Sequence, residues 1–277
     1  MSTLFGLLAA VSYGVSDFFG GLLTRRNPAL LVVMWSQLGS LVLLLAAMPW
    51  LPGESLSLDG VLFGAAAGAL GSVGLIALYQ GLATARISVV APTAALVGAF
   101  LATAVGLLLD GDRPSLLTWL GVATAVPAVF LISGRTSGDG AKGGGLRIGM
   151  LAGACFGLFA VLITRVPAGS EASLLVSVRG ASVLVLVTIA IIRSEGFRLA
   201  RTSYVPATLV GAGDMAGNVF FMLAASTGML TIAGVIEALY PAVTVLLARV
   251  LLKERLLPGQ PVGLLLAATG VALMAAG

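Results

Sequence analysis

The sequence predicts an all-α, polytopic membrane protein: ten transmembrane helices in two inverted five-helix repeats. Three observations carry that expectation. Ten apolar stretches of about 20 residues, parted by short polar breaks, fill nearly the whole chain, and about 20 helical residues are what a hydrocarbon core of roughly 30 Å requires. Of the 277 residues 59% are hydrophobic and 9% charged, with a mean hydropathy of +1.11, which leaves too little polar surface for a water-soluble globule. The two halves of the chain also match one another at a fixed offset.

In order, the expected spans are 3–23, 29–48, 60–82, 88–109, 115–133, 147–165, 172–192, 204–226, 230–251 and 258–276. Span 1 lacks a basic leader and no small-residue cleavage site follows Leu23, so it reads as a retained span and not a signal peptide. Trp50 and Trp119 lie close to span ends, where an amphipathic ring anchors at the interface. Gly60, Gly64 and Gly68 on span 3, and Gly149, Gly153 and Gly157 on span 6, form stripes that let backbones approach; such faces pack statically or permit rocking. Pro92 in span 4, Pro127 in span 5, and Gly234 and Pro241 in span 9 are expected kinks, because proline removes a helical hydrogen bond and frees a carbonyl. The Gly-rich segment 135–145 reads as a flexible linker between a first repeat, 1–134, and a second, 146–277.

Positive charge is one-sided. Loops after the odd-numbered spans hold Arg25, Arg26, Arg86, Arg135, Lys142, Arg147, Arg193, Arg198, Arg201, Arg249, Lys253 and Arg255, against Arg113 and Arg165 in the others. This bias reads as topology and not as nucleic-acid binding, and it predicts both termini outside. His is absent and Cys155 is the only cysteine, so neither a metal site, a cofactor nor an intramolecular disulfide is expected. No phosphate-binding GxxxxGK[ST] loop exists to use ATP, which leaves ion or solute gradients as the driver.

A shift of 142 residues sets Gly71 on Gly213, Ala83 on Ala225, Ala91 on Ala233, Asp112-Arg113 on Glu254-Arg255 and Gly121 on Gly263; a shift of 143 sets Gly6 and Gly14 on Gly149 and Gly157. Five spans per copy is an odd number, so the second copy must cross the membrane in the opposite sense. Inverted repeats are a transporter architecture, with the binding site where the repeats meet.

Ionisable residues far from span ends are the sharpest local signal. Asp17, Arg179, Asp214 and Glu237 each cost about 2.5–3.5 kcal/mol in mid-membrane, so each should face the bundle interior or a wet cavity and have a partner. Arg179 and Glu237 are each about the eighth residue of parallel spans, which predicts an ion pair, either structural or acting as a gate. Asp214 shares a helix face with Asn218, Tyr13 shares one with Asp17 beside Ser16, and Glu237 shares one with Tyr240 and Pro241. These residues are candidates for binding a small-molecule substrate. Their carboxylates should attract cations or zwitterions and are candidates for proton exchange, although Asp17 could instead snorkel to a helix end.

The half-repeat endings, GLLLDGDRPSLLTWLGVATAVPAVFLIS (106–133) and ALYPAVTVLLARVLLKERLLPGQPVGLLLAATGVALMA (238–275), resemble the paired signature of EamA-type transporters of the drug/metabolite transporter superfamily. Tyr13-Gly14, Phe156-Gly157 and Arg179 also resemble family positions, while Asp112 stands where Glu is usual. The resemblance implies a ten-helix basket in the cytoplasmic membrane, a cavity lined by helices 1, 3, 4, 6, 8 and 9, and alternating access. It implies amino acids, related metabolites or amphipathic drugs as cargo, with efflux favoured, in a monomer or homodimer. Because helix 3 would line the cavity, Tyr79 and Gln80 join the substrate-binding candidates. Several members of that family look cytoplasmic at both termini, unlike the charge bias here. The alternatives are a passive channel or uniporter and a membrane-embedded lipid-modifying enzyme; no recognisable nucleophile and base pair supports the latter.

Overall fold

A computed structural model describes residues 1–47, 57–84, 87–132, 144–166, 169–253 and 258–277. These residues are helical with short connections and no strand. The helices are α1 (Ser2–Thr24), α2 (Ala29–Ala47), α3 (Leu58–Thr84), α4 (Ile87–Leu108), α5 (Leu116–Ile132), α6 (Gly144–Ile163), α7 (Glu171–Ile192), α8 (Tyr204–Ser226), α9 (Leu230–Glu237), α10 (Tyr240–Leu251) and α11 (Gln260–Ala276), with a 3-10 turn at Arg201–Ser203. Seven segments are long and apolar enough to cross a membrane, one of them the α9 and α10 stretch Leu230–Leu251; Thr93–Leu108, Leu116–Ile132 and Gln260–Ala276 are shorter apolar helices.

Two expectations about the elements are corrected. Helix α6 begins at Gly144, inside the segment read as linker; the rest of that linker, with Trp50, Arg86, Arg135, Lys142 and Arg255, lies outside the described residues. Span 9 is not one kinked helix but two helices parted at Ala238-Leu239. Pro241 accounts for the break: it has no N–H for the carbonyl of Glu237, four residues earlier, and its ring would clash there, so α9 stops at Glu237 and proline falls in the first turn of α10. Gly234 lies within α9, its missing Cβ making room for Ala102 of α4 at 2.6 Å.

The halves of the chain interleave. Helix α3 packs on α6 and α7, α8 on α1 and α2, α4 on α6 and α9, α1 on α9 and α10, and α5 on α11. Large apolar side chains such as Phe100, Leu184, Ile192 and Val205 face outward, as they do where the solvent is lipid. One end of the bundle gathers the start of α1 with the end of α8, through Ser2 Oγ donating to the Ala224 carbonyl at 2.8 Å, and Asp110 with Arg165 at 2.5 Å. Asp112 accepts from the Thr231 N–H at 2.9 Å and so caps α9 at that end. The opposite end joins the loop after α1 to the loop after α7, where Asn27 meets Ser203 at 3.2 Å. The arginine-poor and arginine-rich loops are thus at different ends.

The glycine stripes are seams. A Cβ on Gly64 would lie 2.5 Å from the Leu174 carbonyl of α7, and one on Gly153 would lie 2.5 Å from the Ala94 carbonyl of α4. Gly64→Leu should therefore force α3 off α7, destabilising the fold by about 1–3 kcal/mol or more. Thermal unfolding of the purified variant checks this: a markedly lower Tm is expected, and an unchanged one would mean the seam is loose.

Candidate functional site

Helix α1 presents Tyr13 and Asp17 to the bundle interior, one turn apart. The Tyr13 ring fills the space that a Cβ on Gly217 would need, 2.7 Å away, so the glycine lets α1 and α8 close up. Its hydroxyl donates to Asn218 Oδ1 at 2.5 Å. One turn before Asn218 on α8 stands Asp214, whose Oδ2 accepts from Arg179 Nη1 at 2.6 Å. The same nitrogen donates to Gln37 Oε1 of α2. Arg179 is 1% exposed, and its Nε and Nη2 have no hydrogen-bond partner among the described residues.

Residues 37 and 179 are 142 apart, the offset that superimposes the two halves of the sequence. Positions equivalent under that offset therefore touch each other. The expected Arg179–Glu237 pair is corrected: Arg179 pairs with Asp214. Glu237 ends α9 and makes no hydrogen bond or ion pair among the described residues, and the same holds for Asp17.

These groups border one cavity, with about 580 Å³ of empty space counted through its open side. Tyr13, Asp17, Asp214, Asn218, Glu237 and Tyr240 line it from α1 and the helices packed on α1, namely α8, α9 and α10, and form one wall; Gln37 of α2 and Arg179 and Ser182 of α7 also line it. Gly71 and Leu75 of α3, with Phe156 and Phe159 of α6 and Val178 of α7, the two helices packed on α3, form the other wall. The repeat makes the asymmetry explicit: the offsets of 142 and 143 set Asp214 on Ser72, Glu237 on Ala95, Tyr13 on Phe156 and Asp17 on Ala160. Where one copy carries an acid the other carries a small, buried Ser or Ala, and Phe156 lines the cavity at the position equivalent to Tyr13.

Three candidates stand outside the lining. Ser16 is buried against Gly213, and its Oγ has no partner among the described residues. Tyr79 is 3% exposed and packs its hydroxyl end on Gly20 of α1. Gln80 is half-buried, beyond the Gly71 and Leu75 face. Pro92 lies within α4, and its side chain is outside the described residues. Phe159, Val178 and Ser182 were missed by the sequence reading; Phe159 and Ser182 follow Phe156 and Arg179 by three residues, a same-face spacing that could have found them.

Curated proteins contain no match to this chain. A crystal structure of a protein 17% identical to it covers 99% of this chain and 98% of its own, with a TM-score of 0.76, and shares the fold. The model of the EamA-like transporter family matches residues 1–134 and again 144–276. The chain belongs to the EamA-like transporter family, part of the drug/metabolite transporter superfamily.

Proposed function

We propose that the protein is a secondary transporter that moves small organic solutes through this cavity by alternating access between two inverted five-helix repeats. The observation that carries the reading is the cavity's division into an acidic wall and an aromatic wall. Asp17 and Glu237 have no hydrogen-bond or ion-pair partner among the described residues, so a cation that reaches them gains attraction without first breaking an ion pair there. Phe156, Phe159 and Leu75, from the packed helices α6 and α3, offer apolar area in the same cavity. An amphipathic organic cation satisfies both walls at once. A zwitterion such as an amino acid also fits, provided its carboxylate draws the free N–H groups of Arg179 away from their packing.

The interleaved packing favours the repeat reading: α1 on α8 has its counterpart five spans on in α6 on α3, α1 on α9 in α6 on α4, and α2 on α8 in α7 on α3. Units of 1–134 and 146–277 with a short linker follow from it. The pairing of Arg179 with Asp214 supplies a gate, because a cargo ammonium competes with the guanidinium for the same carboxylate. The charge bias of the loops favours the cytoplasmic membrane with both termini outside. Efflux coupled to proton entry, by a monomer or homodimer, completes the reading.

A proton and a cation cannot both neutralise one carboxylate. Binding of a cationic probe should therefore weaken as pH falls, whereas a neutral aromatic of similar size should show no such trend. Thermal shift of the purified protein with tetraphenylphosphonium, phenylalanine and toluene at two pH values checks this, since a ligand of the native state raises Tm by mass action. Equal shifts with the charged and neutral probes at both pH values would overturn the cation reading.

A further inference from the structure

We propose that the loop after α1 and the strap between α7 and α8 together form a binding site for the headgroup of an anionic phospholipid. The strap, residues 193–203, is tied down along its length. Trp35 Nε1 donates to the Phe197 carbonyl at 2.9 Å, the Leu199 N–H donates to Tyr204 Oη at 3.2 Å, and the Ala200 N–H donates to Asn27 Oδ1 at 3.3 Å. Leu199 is buried, and Trp35 and Tyr204 meet edge to face with centroids 4.8 Å apart. A segment fixed in this way presents its other side chains outward in a set arrangement.

What it presents is cationic. Arg198 and Arg201 on the strap and Arg25 and Arg26 on the adjoining loop are all exposed, and none makes a side-chain hydrogen bond or ion pair among the described residues. The one acid on either loop is Glu195, and it lies 4.0 Å from Arg193, a fifth exposed arginine. Guanidinium groups match phosphate oxygens in planar, bidentate geometry. Phe197, 42% exposed, stands among them. The outward faces of α7 and α8 next to the strap carry Ile191, Ile192, Val205 and Leu209, each more than half exposed, where acyl chains would lie. Phosphate-matching charge directly beside a lipid-facing apolar surface points to a lipid and not to a free anion.

The test uses the purified chain in a neutral detergent, with three probes: dioctanoyl phosphatidylglycerol, dioctanoyl phosphatidylcholine and inorganic phosphate. Phosphatidylglycerol should raise Tm by several degrees beyond phosphatidylcholine, inorganic phosphate should not, and the variant R25Q/R26Q/R198Q/R201Q should lose that difference. Equal shifts for the two lipids, a shift reproduced by inorganic phosphate alone, or an undiminished preference in the variant would each overturn the site. A second measurement keeps the native charges. In W50F/W119F, which leaves Trp35 as the only tryptophan, brominated phosphatidylglycerol should quench fluorescence at lower concentration than brominated phosphatidylcholine, and equal quenching would overturn the proposal whatever the yield of the arginine variant.

Discussion

Asp214→Asn should destabilise the protein by about 3–5 kcal/mol, because it leaves the Arg179 charge buried without its counter-ion. The converse substitution should be milder. Arg179→Gln leaves Asp214, whose side chain is 19% exposed toward the cavity, against 2% for Arg179, so water can solvate the orphaned carboxylate but not the orphaned guanidinium. Exchange of these two residues, equivalent under the 142-residue offset, gives a sharper outcome. Gln37 and Arg179 touch one another and α2 packs on α8, so Q37R/R179Q returns a cation to the neighbourhood of Asp214 from the opposite repeat. That double variant should recover Tm relative to R179Q alone, as read by thermal unfolding in one detergent. Recovery is not expected if Gln37 and Arg179 are unrelated neighbours.

Asp17→Asn with Glu237→Gln should lower affinity for a cationic probe at least about 100-fold while the fold persists. Two unit charges about 4 Å apart attract by about 4 kcal/mol at an effective dielectric constant near 20, and each tenfold in affinity is about 1.4 kcal/mol. Neither carboxylate holds another group of the described protein in place, so their removal takes away no internal contact. Calorimetry with tetraphenylphosphonium on the wild type and the double variant checks this, with the Tm of both as the control for folding.

Charge was the legible part of the site. A carboxylate in an apolar span stands out because its cost demands an explanation, and Asp17, Asp214, Glu237 and Arg179 all reach the cavity border. The pairing among them was less legible. Counting residues from span starts put Arg179 level with Glu237, but equal depth is not contact: α7 packs on α2 and α2 on α8, so Arg179 meets Gln37 and Asp214. The aromatic wall was legible only in part, through the three-residue spacing of Phe156 and Phe159. Leu75 and Val178 sit in helices that are apolar all round, and when lipid and protein interior are equally apolar, hydrophobic periodicity no longer marks the inward face. Tyr79 shows the same limit: it continues the Gly71 and Leu75 face by one more turn, yet packs against Gly20 and not against the cavity.

Counterflow in proteoliposomes tests the carrier reading most directly. With unlabelled tetraphenylphosphonium trapped inside, external labelled probe should accumulate transiently above its equilibrium level in vesicles of wild-type protein and stay at background with Asp17→Asn/Glu237→Gln, because a site that faces one side at a time exchanges cargo. Labelled probe that merely equilibrates, equally fast with and without trapped cargo and unaltered by the double substitution, would contradict the account.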